Sequence, residues 1–415
     1  MRRANNQDSF ATLPADSAER FARRGHLFVV ADGMGAHAAG ELASRMAAES
    51  ISQYYLKQST VDAITALRLA VQEANADIHR RGQQNPEFFN MGTTASSIAI
   101  LPEGVVVAHV GDSRVYRVRD GKFEQLTFDH SLVWEMHASG QVLPNSTLSH
   151  SIPKNVITRS LGPSAEVMVD MEGPFPVKKG DRYLVCSDGL TGQVADEEIG
   201  PLLESLTPEL AARVLVDLAN LRGGPDNTTL VIVHILEAPP ADKKNSPLLA
   251  ARANPTSLWI VATPIFCFAA ALVLGLTSNI GPMVVAVLLG LIATTVAAYQ
   301  LVRLAKVAKT NDFEPRKSTR SAPYRCYSAK PTTELLGQLT GVLQALKKAS
   351  AERKWVVDWK GVDGLLSEAS TAKTSGDLRA ATRFHARAIV ETMAQLRTQH
   401  RKPNESSSAR DSVLD

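Results

Sequence analysis

Three apolar strands in this chain each have an aspartate at or near one end, and that repetition constrains the fold more than any other feature. In Val29-Val-Ala-Asp32-Gly-Met-Gly35 an apolar run stops at a carboxylate and a glycine turn. Leu184-Val-Cys-Ser-Asp188-Gly repeats the pattern, and Gly224-Pro-Asp226-Asn-Thr-Thr stands directly ahead of Leu230-Val-Ile-Val. A carboxylate at a strand end is held rigidly on its core side yet faces solvent. Several converging on one point make a hard, all-oxygen site suited to magnesium or manganese. Metal-assisted hydrolysis is the expectation that follows.

The surrounding pattern places these strands. Apolar runs at 94–101, 105–110 and 115–118 are separated only by Pro-Glu-Gly and Gly-Asp-Ser turns. Such spacing leaves no room for crossover helices, so the strands should be antiparallel. Helical periodicity runs through 41–55, 62–81 and 208–220, and further strands are expected at 27–31, 181–187 and 228–236. An α+β domain with antiparallel sheet is the result. Residues 128–156, rich in His, Ser, Asn and Pro, show little periodicity and read as an irregular surface segment.

Composition removes some alternatives. A net charge of +3 over 415 residues makes no case for nucleic-acid binding. The three cysteines, Cys186, Cys267 and Cys326, are scattered, without zinc-ligand spacing, and argue against a disulfide framework. The polar segment 1–7 does not read as a secretory signal.

Eight segments, in order, carry a family resemblance: Arg3-Ala-Asn-Asn-Gln-Asp8, Ala31-Asp-Gly-Met-Gly35, Met91-Gly-Thr-Thr94, Gly111-Asp-Ser-Arg114, Leu126-Thr-Phe-Asp-His-Ser131, Thr158-Arg-Ser-Leu-Gly162, Cys186-Ser-Asp-Gly-Leu190 and Gly224-Pro-Asp-Asn-Thr228. Together they resemble the bacterial form of the metal-dependent protein serine/threonine phosphatases of type 2C, over residues 1–237. The resemblance implies two antiparallel sheets sandwiched between helical layers, with metals at one end and 128–156 as a mobile flap. It implies that Asp32 bridges two Mn2+ or Mg2+ ions and that the Gly33 carbonyl is a further ligand. Asp188 and Asp226 complete the first ion, and Asp8 serves the second. Asp112 corresponds to a ligand for a weaker third ion shared with Asp188, although Gly-Asp-Ser is also a good turn. Arg3 is the implied phosphate clamp, since a guanidinium grips two phosphate oxygens at once. His37 is the nearest candidate to protonate the leaving alkoxide, against a supporting role behind the metals. Where the family has glycine, this chain has Ala36. Cys186 lies in an apolar run without the loop that cysteine phosphatases use, so packing is its expected role. A strand of roughly ten residues precedes the arginine in the family and pairs with the strand leading into the metal site. Arg3 leaves no room for it, and a longer natural N-terminus is expected.

The remainder of the chain is of a different kind. Residues 253–302 contain no Asp, Glu, Lys or Arg. Within them, 258–276 and 283–302 are each long enough, as helices, to cross a hydrocarbon core of ~30 Å. Thr277-Ser-Asn-Ile-Gly-Pro282 is an uncharged breaker, and Trp259 and Tyr299 stand where interfacial aromatics belong. A buried soluble hairpin is the alternative, but such helices usually keep a polar face. Lys243, Lys244 and Arg252 precede the hairpin, and Arg303, Lys306 and Lys309 follow it. Positive flanks put both ends in the cytoplasm. Helical spacing returns at Leu335, Leu336, Leu339, Leu343 and Leu346. A second amphipathic helix, similar to half of a tetratricopeptide-type hairpin, starts at Ser375-Gly-Asp377 and carries Leu378, Ala381, Ile389, Met393 and Leu396.

The expected organisation is therefore a catalytic domain (1–237), a basic linker (238–256), a two-helix transmembrane hairpin (257–303), a second linker (304–331), a small helical cytoplasmic unit (332–402) and a disordered tail (403–415). The expected function is hydrolysis of phosphoserine and phosphothreonine in proteins by water or hydroxide bridging two metals. It would oppose a bacterial Ser/Thr kinase at the inner face of the cell membrane, in contact with lipid. A catalytically weak, membrane-anchored scaffold for phosphoproteins and a two-metal nuclease are the competing classes, and the near-neutral charge disfavours the second. Removal of 240–415 is expected to leave an active phosphatase, because every matched motif precedes that cut.

Overall fold

Short turns between apolar runs force neighbouring strands into antiparallel ladders, and the structure, a computed structural model, is built from two of them. It describes residues 5–35, 38–143, 146–153, 156–238 and 322–400, with short stretches between 273 and 295. The first sheet runs β1 (Asp8–Leu13), β2 (His26–Met34), β4 (Ala95–Leu101), β5 (Gly104–Val110) and β8 (Asp170–Phe175), with β3 (Gly92–Thr93) on the end of β2. The second runs β10 (Leu230–His234), β9 (Arg182–Cys186), β6 (Arg114–Arg119), β7 (Lys122–Gln125) and β11 (Arg325–Ser328). Every pairing is antiparallel.

Val30, Ile98, Val105, Val107, Val115, Tyr183 and Val185 fill the space between the sheets. β4 and β5 are buried along their whole length, as central strands covered on both faces must be. On the outer face of the first sheet, α2 (Ala38–Lys57) and α3 (Ala63–Gln84) pack through small residues, among them Ala43, Ala47, Ala66, Ala70 and Ala74. Asp62 starts α3 by accepting from the Thr65 N–H at 2.9 Å, a cap worth about 1 kcal/mol. α1 (Ala18–Arg24) joins β1 to β2; α4 (Leu132–Ala138) and α5 (Thr147–Ser151) give the 128–156 segment local helical order.

The second sheet is covered by α7 (Asp196–Ser205) and α8 (Pro208–Leu221), which follow the one-turn α6 (Asp188–Thr191). It is also covered by the end of the chain. α9 (Thr333–Arg353), α10 (Trp359–Thr374) and α11 (Leu378–His400) place Leu335, Leu339, Leu343, Val362 and Ile389 in one cluster with Phe123, Ile199, Leu203 and Val214. Arg397 of α11 pairs with the buried Asp217 of α8, and Arg379 with Glu204 of α7.

Several expectations are corrected here. Residues 332–402 are not a separate unit: Met1–Ala241 and Ala322–Asp415 form one compact body, with Asp242–Ser321 as the other. The 304–331 linker ends in a strand, because β7 offers an open edge that Arg325–Ser328 pairs with. A cut at 240 therefore removes part of a sheet and of a core. β2 is paired on both flanks, by β1 and β4, so the strand leading into Asp32 does not lack a neighbour. Most of the 257–303 hairpin, the 238–256 linker apart from Ala238, and the 403–415 tail lie outside the described residues. Among the described residues, no helix is long and apolar enough to cross a membrane.

Candidate active site

The carboxylates collect where strand ends of both sheets meet. Asp8 opens β1 and stands directly opposite Asp32 in the ladder with β2. The Asp32 backbone is held from its other side by the Met91–Thr94 motif. Its N–H donates to Thr94 Oγ1 at 3.0 Å, and its carbonyl accepts from Thr93 Oγ1 at 2.8 Å and the Thr94 N–H at 2.9 Å. Thr94 Oγ1 lies 2.7 Å from Ser113 Oγ, which ties the Asp32 strand to the Gly111–Arg114 turn that carries Asp112.

Asp188 begins α6 at the end of β9, just after Ser187. Ser187 Oγ donates to Asp8 Oδ2 at 2.8 Å and accepts from the Thr229 N–H at 3.0 Å, joining β1 to the two carboxylate loops of the second sheet. The Gln7 N–H donates to Asn227 Oδ1 at 2.9 Å, which brings the Asp226 loop against the start of β1. Two glycines are required by this crowding. A Cβ on Gly33 would come 2.0 Å from the Gly40 carbonyl oxygen, and one on Gly189 would come 1.8 Å from that of Asn227. The approach of α2 thus demands glycine at 33.

Like charges gathered in a partly dry place resist ionisation. Burial, then Asp8, Asp188 and Asp226, push the Asp32 carboxyl well above the usual carboxylate range. Asp8 is raised by burial, and Asp112 is pushed up to about 7 by burial and by Asp188. Asp8 Oδ1 is buried with no hydrogen-bond partner among the described residues. Five oxygen-donor side chains, of which Asp8, Asp32 and Asp112 are raised, together with the unpartnered Asp8 oxygen, fit hard divalent cations. Among the described residues no three His, Cys, Asp or Glu side chains already converge at metal-holding distance. The fit therefore rests on the donor set and on the Asp8 oxygen. Arg3 and His37 lie outside the described residues, as does Ala36.

The remaining motifs brace the site. Arg114 is spent on Asp129, at 2.6 Å, and on Tyr116 Oη, at 3.0 Å. Arg159 donates to Asp170 Oδ1 at 2.6 Å, and His130 Nε2 faces Asp170 Oδ2 at 2.9 Å. Burial opposes the charged form of Asp170, yet these partners hold it down at about 2. His130 Nδ1 in turn accepts from the Gly111 N–H at 2.9 Å, next to Asp112. Burial pushes the Cys186 thiol up, which suits a packed side chain and not a nucleophile. Ser187, Gln7, Asn227 and Asp170 were not singled out in the sequence; single small polar residues have no periodicity to betray them.

A family model described as Protein phosphatase 2C matches residues 2–218. The protein phosphatase PhpP of Streptococcus pneumoniae is 36% identical over 242 residues, 57% of this chain and 94% of PhpP. The serine/threonine protein phosphatase PstP of Mycobacterium tuberculosis is 36% identical over 239 residues, 57% of this chain and 43% of PstP. Among solved structures, the serine/threonine phosphatase of S. agalactiae superposes with a TM-score of 0.51 at 33% identity, over 57% of this chain and 95% of its own. Stp1 of Staphylococcus aureus gives 0.50 at 31%, over 56% and 90%. The chain therefore belongs to the protein phosphatase 2C family, and its sandwich is the catalytic domain of a serine/threonine protein phosphatase.

Proposed function

We propose that this enzyme removes phosphate from phosphoserine and phosphothreonine in proteins with two divalent metal ions, Mn2+ or Mg2+, at the inner face of a membrane. The observation that carries the chemistry is the meeting of Asp8, Asp32, Asp112, Asp188 and Asp226, with Asp8 Oδ1 buried and without a hydrogen-bond partner among the described residues. Asp32, Asp188 and Asp226 would hold the first ion, Asp32 and Asp8 the second, and Asp112 with Asp188 a weaker third. When bound, such ions neutralise phosphoryl charge and lower the pKa of water, which a slow phosphate-monoester hydrolysis needs. The chain itself holds the gathered carboxylates on braced strand ends, through Thr94, Ser187 and Asn227, so that little reorganisation accompanies reaction. Arg3 is assigned the phosphate grip and His37 the proton for the leaving oxygen. The opposing partner is a Ser/Thr kinase.

Anchoring by the 257–303 hairpin is supported by three facts. Residues 253–302 are uncharged. The described part of the second helix exposes Val284, Val285, Leu288, Leu289 and Leu291, each close to half of its surface, which water disfavours and lipid accepts. Residues up to 241 and from 322 belong to one compact body, which agrees with both flanks of the segment lying on one side of a membrane.

Hydrolysis of a phosphothreonine peptide with manganese, set beside a single-stranded oligonucleotide, tests the reading. Peptide turnover that disappears in chelator is expected. Binding without turnover would favour the scaffold, and cleavage of the oligonucleotide would favour a nuclease. For the anchor, a cysteine probe at Ser278 should label from outside intact cells and one at Thr319 should not. The reverse pattern would reject the topology.

A further inference from the structure

The strand that closes the second sheet also reaches the flap. Tyr324 enters with its N–H donating to the Gln125 carbonyl at 2.9 Å, and β11 then pairs along β7. From there two side chains leave the sheet. The Tyr324 hydroxyl donates to Glu172 on β8, in the other sheet, and its ring meets Phe128 at 5.6 Å and 67°. The Arg325 guanidinium lies 4.2 Å from the centre of the Trp134 ring. Trp134 is in α4, the first helix of the flap, and meets Phe128 edge-on at 5.2 Å and 85°. Arg114 approaches the same indole at 5.9 Å. Burial pushes up the carboxyl of Asp129, the partner of Arg114, against the charge of Arg114 and, behind it, of Arg325.

The flap root is bonded to the metal-site turn. Ser131 bridges to Ile157, and the Thr158 N–H donates to the His130 carbonyl at 2.9 Å. The His130 N–H donates to the Gly111 carbonyl at 2.8 Å, while the Gly111 N–H donates to His130 Nδ1 at 2.9 Å. Both ends of the flap therefore converge on the residue before Asp112. A side chain that fixes α4 fixes the orientation in which the flap leaves that junction.

We propose that Tyr324 and Arg325 are positioning residues for dephosphorylation: a strap from beyond the matched domain that holds α4, and through it the flap that a protein substrate must pass. This rests on the phosphatase reading given above. A partly buried cation over an indole is a strong enough contact to decide where one short helix sits. The flap, and not the carboxylate cluster, is what it holds. Its loss should therefore weaken recognition of a large substrate more than the chemistry on a small one.

The test uses the full chain with Arg325→Ala, Arg325→Lys, Trp134→Ala and the Arg325→Ala/Trp134→Ala pair, each checked by thermal melting. Arg325→Ala should raise KM for a phosphothreonine peptide about fivefold and speed limited proteolysis between residues 139 and 156 by a similar factor. Its kcat on p-nitrophenyl phosphate should stay within about twofold of the native value, as for a lost contact that acts on binding. Arg325→Lys, which keeps the cation, should recover most of the loss, and the double variant should be no worse than Trp134→Ala alone. Unchanged peptide KM and flap cleavage in Arg325→Ala, no recovery with lysine, or additive losses in the double variant would overturn the strap. Flap cleavage does not need turnover, so it judges the strap even if the native chain hydrolyses neither substrate, a result that would instead sink the phosphatase reading.

Discussion

The two sheets share one architecture and are finished differently. The outer face of the first is covered by α2 and α3, both early in the chain, and largely through alanines that let helix and sheet approach closely. The outer face of the second needs α7 and α8, then α9 and α11 from the far end of the sequence, which also supplies its edge strand β11. Chemistry is drawn from both: Asp8 and Asp32 from the first sheet, Asp188 from the second, Asp112 from the turn between them. The site thus joins a sheet covered by local packing to one whose covering and last edge strand come from residues that return after a long excursion. Family membership reaches residue 218, but the folded body reaches at least to His400. A domain drawn from motifs and a domain drawn from packing are different objects here.

The largest way to break this comparison is to remove the late covering. A chain ending at 240 should be far less stable than one in which 241 is joined to 322 by a flexible linker. Leu335, Leu339 and Leu343 are each buried, at ~1.5–3 kcal/mol apiece, so a loss of at least about 4 kcal/mol is expected in urea melts. Equal midpoints would show that the helices merely rest on the domain. Second in size is Asp32→Asn, which should lower phosphopeptide turnover at least about a hundredfold, because charge stabilisation by bound metal is worth several kcal/mol. Its melting temperature should not fall, since Asp32 is crowded by Asp8, Asp188 and Asp226. A variant that keeps its activity would remove Asp32 from the site.

Arg397→Ala probes the late covering more finely. It strips the partner from Asp217, a side chain only 1% exposed, and should cost about 1–2 kcal/mol, given that Arg397 itself is 59% exposed. Burial already pushes Asp217 up to about 6, against Arg397, which lowers it. A carboxyl raised on folding contributes less stability as pH climbs from its unfolded value to its folded one. The penalty of Arg397→Ala should therefore be smallest near about pH 4 and complete above about pH 7. A penalty independent of pH would place the loss in packing instead. The smallest effect is at the metal end. With Asp112 held up at about 7, manganese binding must displace a proton, so affinity should rise about tenfold between pH 6 and 8. A flat profile would argue that Asp112 takes no part.

How much of this was legible depended on whether a residue acts through pattern or through place. β2, β4 and β5 were visible as apolar runs ended by turns, and Asp32, Asp188 and Asp226 because each stands at or near the end of such a run. α9 and α11 were visible from leucines at helical spacing. β11 was not. Arg325-Cys-Tyr-Ser328 has no strand signature, and its state is set by the open edge of β7, some two hundred residues earlier. α10 was missed because only Val362 and Ala369 are buried along it, too few to show a period. Asp170 opens an unpatterned strand, and its place beside His130 and Arg159 exists only after β8 pairs with β5. Asp112 was legible through the family resemblance, with a simple turn as the competing reading; its burial and its closeness to Asp188 exist only after folding.

Turnover of a phosphothreonine peptide by the full chain, measured while manganese is returned after complete chelation, tests the central claim most directly, with Asp226→Asn alongside. Metal-dependent catalysis by this carboxylate cluster predicts no turnover in chelator, full recovery as manganese saturates the native chain, and recovery reduced at least about a hundredfold in Asp226→Asn. Full turnover in chelator, or equal recovery in both chains, would contradict it.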